Sequence, residues 1–251
     1  MPVPASDWGL KKHPVVEAVT SAMAIGTNAT LDLGRAPIAN RERRDLLELA
    51  AGYALILIVI WTPRPWQQII YFVAAAFIIG ATWLSFPGRR AMGLGARNLA
   101  RSTWIVGAAL LAATLSIVVA SRMHTLHAPA SPSMFVKRYA GYILFACVQQ
   151  GLLQDFFLLR LLRLLRTPNA AAVAAAVIFS LAHLPNPILT VVTFIWGLTA
   201  CLLFLRYRNL YALAVAHAIL GITLAMSVPG PVIRNMRVGL GYLTYGPHHV
   251  H

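Results

Sequence analysis

Long apolar runs alternate with short, arginine-rich breaks along this chain. The apolar runs cover Leu46–Trp61, Trp66–Phe86, Ser102–Ser121, Tyr139–Leu159, Asn169–Leu184, Ile188–Leu205 and Leu210–Val228. Their lengths suit helical membrane spans, which need about 20 residues each. None shows the strict alternation of a barrel strand, and backbone polar groups in hydrocarbon must be satisfied within helices or closed barrels. The pattern therefore predicts an all-α fold, a polytopic transmembrane helical bundle of about seven spans. The first run is short and includes Glu48. Residues 1–45 read as a cytoplasmic N-terminal extension with a surface helix near Val15–Ile25. Residues 46–229 form the transmembrane domain, and residues 230–251 a tail with an exposed "HHVH" end. The opening "MPVPASDWGLKK" lacks the charged-then-apolar pattern of a signal peptide.

Composition supports the same class. Hydrophobic residues make up 59% of the 251 and charged residues only 11%, against roughly a quarter charged in soluble domains. A formal net charge of +14 could suggest nucleic acid. The basic residues instead fall in runs between spans, such as "NRERR", "PGRRAMGLGARNLAR" and "LRYRN". With a cytoplasmic N-terminus, thirteen arginines lie in inner segments, against six basic residues in outer ones (Arg64, Arg122, Lys137, Arg138, Arg234 and Arg237). That asymmetry predicts N-in, C-out, with bilayer headgroups rather than nucleic acid as the counter-charge. Cys147 and Cys201 both lie in predicted spans and read as small packing residues.

The polar exceptions carry the chemistry. In "ACVQQGLLQDFFLLR", Gln149, Gln150, Gln154 and Asp155 interrupt an apolar run. Asp155 is the one acidic residue after Glu48, and an ionisable group inside a span is a candidate functional residue or the partner of a nearby arginine such as Arg160. At 100° per residue, Gln150 and Gln154 share a helix face, with Gln149 to one side and Asp155 to the other. Arg160, Arg163 and Arg166 are expected to reach lipid phosphates. His183, in "VIFSLAHLPNP", and His217, in "LYALAVAHAILGI", sit in separate apolar runs. Each needs a polar partner in hydrocarbon, and a wet cavity shared with the glutamines would supply it. By helix rise, the two histidines would differ in depth by about 10 Å if the helices were flush.

Phe179 and His183 in "FSLAH", then His217, follow "QQGLLQ" in an order and spacing that resembles the CAAX protease and bacteriocin-processing (CPBP) family, which includes type II CAAX prenyl endopeptidases. That family carries E-E-x-x-x-R, F-x-x-x-H and H-x-x-x-N in successive helices. The resemblance covers about residues 136–226, the last four spans. Gln149 and Gln150 stand at the glutamate positions, Gln154 at the arginine and Gly221 at the asparagine. An alternative register of the first motif runs from Asp155 to Arg160. The resemblance implies an intramembrane endopeptidase of the bacterial inner (plasma) membrane, acting on or binding a prenylated or membrane-inserted peptide. It implies no cofactor. The glutamates and first histidine would hold the attacking water, and the third motif would polarise the peptide carbonyl.

A glutamine cannot take a proton from water near neutral pH; it can orient water or donate a hydrogen bond. Three functions follow. One is a working hydrolase with His183 or Asp155 as base, His217 as electrophilic helper and Gln149 and Gln150 orienting water. Another is a non-catalytic relative that binds a lipidated peptide or membrane partner in the same cavity. A third is a metal-assisted enzyme using Asp155, His183 and His217 as ligands.

Overall fold

Helix starts are written into this sequence as a capping residue followed by proline. Ser131, Thr167 and Asn186 each accept a hydrogen bond from the backbone N–H three residues on, at 3.3, 3.2 and 3.1 Å. Each is followed by proline, whose missing N–H and fixed φ suit the first helical position. Asn209 caps a fourth start through the Ala212 N–H at 2.9 Å. The structure, a computed structural model, describes residues 40–246. The Val15–Ile25 helix and the "HHVH" end lie outside them.

Helix α1 spans residues 40–61. It is followed by α2 (Trp66–Leu84), α3 (Leu99–Arg122) and α4 (Pro132–Gly151). A π-helical segment (Leu152–Leu158) joins α4 to α5 (Leu159–Leu164), making one continuous rod from Pro132 to Leu164. Then come α6 (Pro168–Leu181), α7 (Pro187–Tyr207), α8 (Leu210–Ser227) and two short C-terminal helices, α9 (Gly230–Ile233) and α10 (Gly239–Leu243). The fold is all-helical, and a helix stands at each of the seven apolar runs. Five are long and apolar enough to cross a membrane: α2, α3, the α4–α5 rod, α7 and α8. The other two differ for separate reasons. Helix α1 carries acidic and basic residues through its first half. Helix α6 has 14 residues, about 21 Å, against a hydrocarbon core of about 30 Å.

Helix α3 packs on α8, α4 on α8, and α6 on α7. The α6–α7 seam is built from small residues. Ala171, Ala172, Ala175 and Ala176 are fully buried, as are Ala200 and Cys201 opposite. A Cβ at Gly197 would come within 3.2 Å of the Phe179 ring and 3.5 Å of the Ala176 backbone. Small side chains let backbones approach in a lipid solvent where no hydrophobic drive separates helix from tail. Cys201 belongs to this seam, while Cys147 is exposed on α4.

The arginine stripe is a correction. Arg160 does not reach for phosphate; it is 1% exposed and pairs with Glu48 of α1 at 2.7 Å. Its Nη1 donates to the Phe156 carbonyl at 3.0 Å, and its guanidinium lies 4.2 Å over the Phe156 ring. Arg163 forks onto Asp45, with both bonds at 2.6 Å. Glu48, an oddity within an apolar run, is thus the buried counter-charge of α5.

Residues 229–245 fold back onto the turn between α6 and α7. Asn186 Nδ2 donates to the carbonyls of Ile233 and Arg237 at 2.9 and 3.2 Å. The Gly239 N–H donates to the Leu184 carbonyl at 2.9 Å. The Asn186 side-chain amide and the Leu184 carbonyl are thus satisfied by this segment.

Candidate functional site

The glutamines of α4 sit where the helix changes its winding. Gln149 and Gln150 lie in the last turn of α4, which ends at Gly151, and the π segment begins at Leu152. π-Helical turns inside α-helices recur at functional sites, because the extra residue re-aims the side chains around it. Gln150 and Gln154 are both fully buried. The Gln154 Nε2 donates to Gln150 Oε1 at 3.2 Å, and the Gln150 Nε2 meets His217 Nδ1 at 3.1 Å. An amide nitrogen only donates, so His217 Nδ1 accepts and its proton is on Nε2. The relay thus fixes one tautomer of His217, a neutral ring with an N–H donor on its other edge.

His183 is fixed in the opposite sense. Its Nδ1 lies 2.8 Å from the Phe179 carbonyl, which only accepts. Nδ1 therefore holds the proton, and Nε2 keeps its lone pair. The Phe179 ring stands edge-on to both imidazoles, at 5.0 Å from His183 and 6.3 Å from His217. The depth mismatch disappears through unequal entry. The α4–α5 rod is 33 residues long, about 50 Å, so it overshoots the hydrocarbon. Helix α6 starts from its far end and is only 14 residues long, and the Phe179 ring near its end contacts both imidazoles.

Not every candidate converges. Gln149 is half-buried and outside the Gln154–Gln150–His217 chain. Asp155 is buried, and no hydrogen bond joins it to either imidazole. The charge acting on it is the Arg208 guanidinium, and its Oδ1 is buried without a hydrogen-bond partner. In the alternative register through Arg160, that arginine pairs with Glu48 rather than with Asp155. Asp155, His183 and His217 do not gather as ligands; no group of three His, Cys, Asp or Glu side chains among the described residues could hold a metal ion.

His217 opens onto a cavity of about 850 Å³ between α3, α4, α7 and α8. Its walls are mostly apolar, with Leu115, Val119, Leu189, Val192 and Leu220 among them. His183, Gln149 and Gln150 are not part of its lining. Two aromatic residues that motif spacing gave no reason to select are. Trp196 stands 5.8 Å from the His217 ring. Tyr142 lies against Gly221, where an added Cβ would overlap the tyrosine hydroxyl and ring. The only sequence signal for either is an amphipathic aromatic inside an apolar run.

Residues 132–223 match the family model described as type II CAAX prenyl endopeptidase, Rce1-like. The matched stretch begins at the first residue of α4 and ends within α8. It contains the glutamines, Phe179, both histidines and Gly221, so the family resemblance read from the motifs and the family model fall on the same helices. No curated protein and no solved structure matched the chain. The chain is an integral membrane protein resembling the CAAX proteases.

Proposed function

We propose that this protein binds a prenylated or membrane-inserted peptide in the apolar cavity beside His217 and does not cleave it. The observation that carries this reading is the hydrogen bond between Gln150 and His217 Nδ1 at 3.1 Å. It ties up the imidazole lone pair with a neutral amide, and the positions where the family keeps its catalytic acids offer no carboxylate to take a proton from water. A cavity of about 850 Å³ lies within the 300–1,000 Å³ range of small-molecule sites. Its apolar wall suits a lipid chain. The excess of arginine in alternate loops supports a cytoplasmic N-terminus, and the family resemblance suggests the bacterial inner membrane.

The test uses the purified chain in lipid nanodiscs with a fluorescent prenylated peptide. Saturable binding is expected, with the peptide recovered at its starting mass after prolonged incubation. A second reading, an active hydrolase, draws on one observation: the His183 Nε2 lone pair is left free by the bond from Nδ1 to Phe179. Cleavage products that vanish in His183→Ala would establish that reading in place of the first.

A further inference from the structure

The third motif of the family ends on asparagine, and here that position is Gly221, one helical turn beyond His217 on the same face of α8. The space beside Gly221 is not empty. A Cβ built there would run into Tyr142 Oη first and then into the ring. Tyr142 and His217 both line the cavity. The tyrosine hydroxyl has no hydrogen-bond partner among the described residues. A phenol in hydrocarbon normally finds a partner, since its O–H is costly to bury alone. Tyr142 thus brings an unused donor from α4 to the place from which a side chain of α8 would have projected. Nearby, the amide relay leaves the His217 Nε2–H free to donate.

We infer that Tyr142 is a ligand-binding residue, which together with His217 seats a carbonyl oxygen at the polar end of an apolar chain lying in the cavity. The inference rests on the binding reading above and names the chemistry it would select. Two neutral donors on one wall, with no cation and no carboxylate beside them, suit an uncharged acceptor such as an acyl or peptide carbonyl. An ammonium group would find only hydroxyl oxygens and no carboxylate in the lining. A carboxylate or phosphate would enter an apolar cavity with no counter-charge, at high cost.

The experiment measures a prenylated peptide carrying one ¹³C=O at the modified cysteine, bound to the full chain in nanodiscs. Affinity and the isotope-edited infrared band are read for the unsubstituted protein, Tyr142→Phe and Tyr139→Phe. Tyr142→Phe keeps the ring packed against Gly221 and removes only the hydroxyl. It is expected to weaken binding about 3–10-fold, the range for one neutral hydrogen bond, and to move the carbonyl band to higher wavenumber. Tyr139→Phe removes a buried, unpartnered hydroxyl outside the cavity and is expected to change neither reading. Unchanged affinity and an unchanged band in Tyr142→Phe would overturn the inference while leaving the binding reading standing. Absence of saturable binding to the unsubstituted protein would remove both.

Discussion

Replacing Glu48 by alanine strands the most deeply buried cation of the bundle. Arg160 is 1% exposed and receives two contacts from Glu48, at 2.7 and 2.8 Å. What remains after the substitution is one carbonyl, that of Phe156, the face of the same residue's ring and the more distant charge of Asp45, which is itself forked by Arg163. Breaking a buried pair from one side typically costs about 3–5 kcal/mol, because the other charge stays buried without compensation. Asp45→Ala is the matched comparison. Its partner Arg163 is 23% exposed, so the freed guanidinium can swing to water or headgroups, and the expected cost is about 1 kcal/mol. Reversible unfolding by SDS titration in mixed micelles, followed by tryptophan fluorescence, measures both. A third variant, Glu48→Ala with Arg160→Met, removes both charges and fills the space with a flexible apolar chain. It should recover most of the loss. Equal, small effects of Glu48→Ala and Asp45→Ala would refute the reasoning, as would a double variant no more stable than Glu48→Ala alone.

Three further outcomes are expected. Gly221→Ala should destabilise by about 1–3 kcal/mol through overpacking against Tyr142, and a double-mutant cycle with Tyr142→Ala should relieve most of that cost; additive losses would place the conflict elsewhere. Gln150→Leu should cost about 1–3 kcal/mol by leaving the Gln154 amide and His217 Nδ1 unpartnered, and ¹⁵N shifts of His217 should report loss of the single Nε2–H tautomer. Asn186→Ala removes a helix cap and both side-chain bonds to the C-terminal segment. It should lower stability by about 1–2 kcal/mol, and limited proteolysis should cut sooner within residues 229–245.

The membrane fold was legible because apolar runs and arginine-rich breaks are one-dimensional signals. The shared face of Gln150 and Gln154 was legible for the same reason, since helix periodicity alone sets it. What escaped were relations between distant segments. Nothing in the spacing of Arg160, Arg163 and Arg166 says that two of them turn inward, because their partners lie more than a hundred residues earlier in α1. The depth of His183 depends on how far the α4–α5 rod overshoots, and the π segment that extends it has no periodic signature. Tyr142 was invisible to motif reading, since its role depends on a glycine in another helix. Asp155 stands out in the sequence as an acid within an apolar run, but the Arg208 charge that acts on it comes from the residue just past the end of α7, which spacing around Asp155 does not reveal.

The electrostatic arrangement is consistent across the bundle. Three acidic side chains are buried among the described helices, or nearly so, and each has an arginine: Asp45 with Arg163, Glu48 with Arg160, and Asp155 acted on by Arg208. None of the three is hydrogen-bonded to the imidazoles. The centre itself is built from neutral groups, two amides and two histidines held in complementary tautomers, with an uncharged phenol against Gly221. A charged side chain buried at this centre without a partner would cost several kcal/mol. Gln149, Gln150 and Gln154 carry no charge and avoid that cost, and the Gln154–Gln150 bond gives the third glutamine a structural use. A pocket so neutral can hold a carbonyl in place, but it is poorly equipped to withdraw a proton from water. That is the physical ground for reading this site as a binder built on a protease frame.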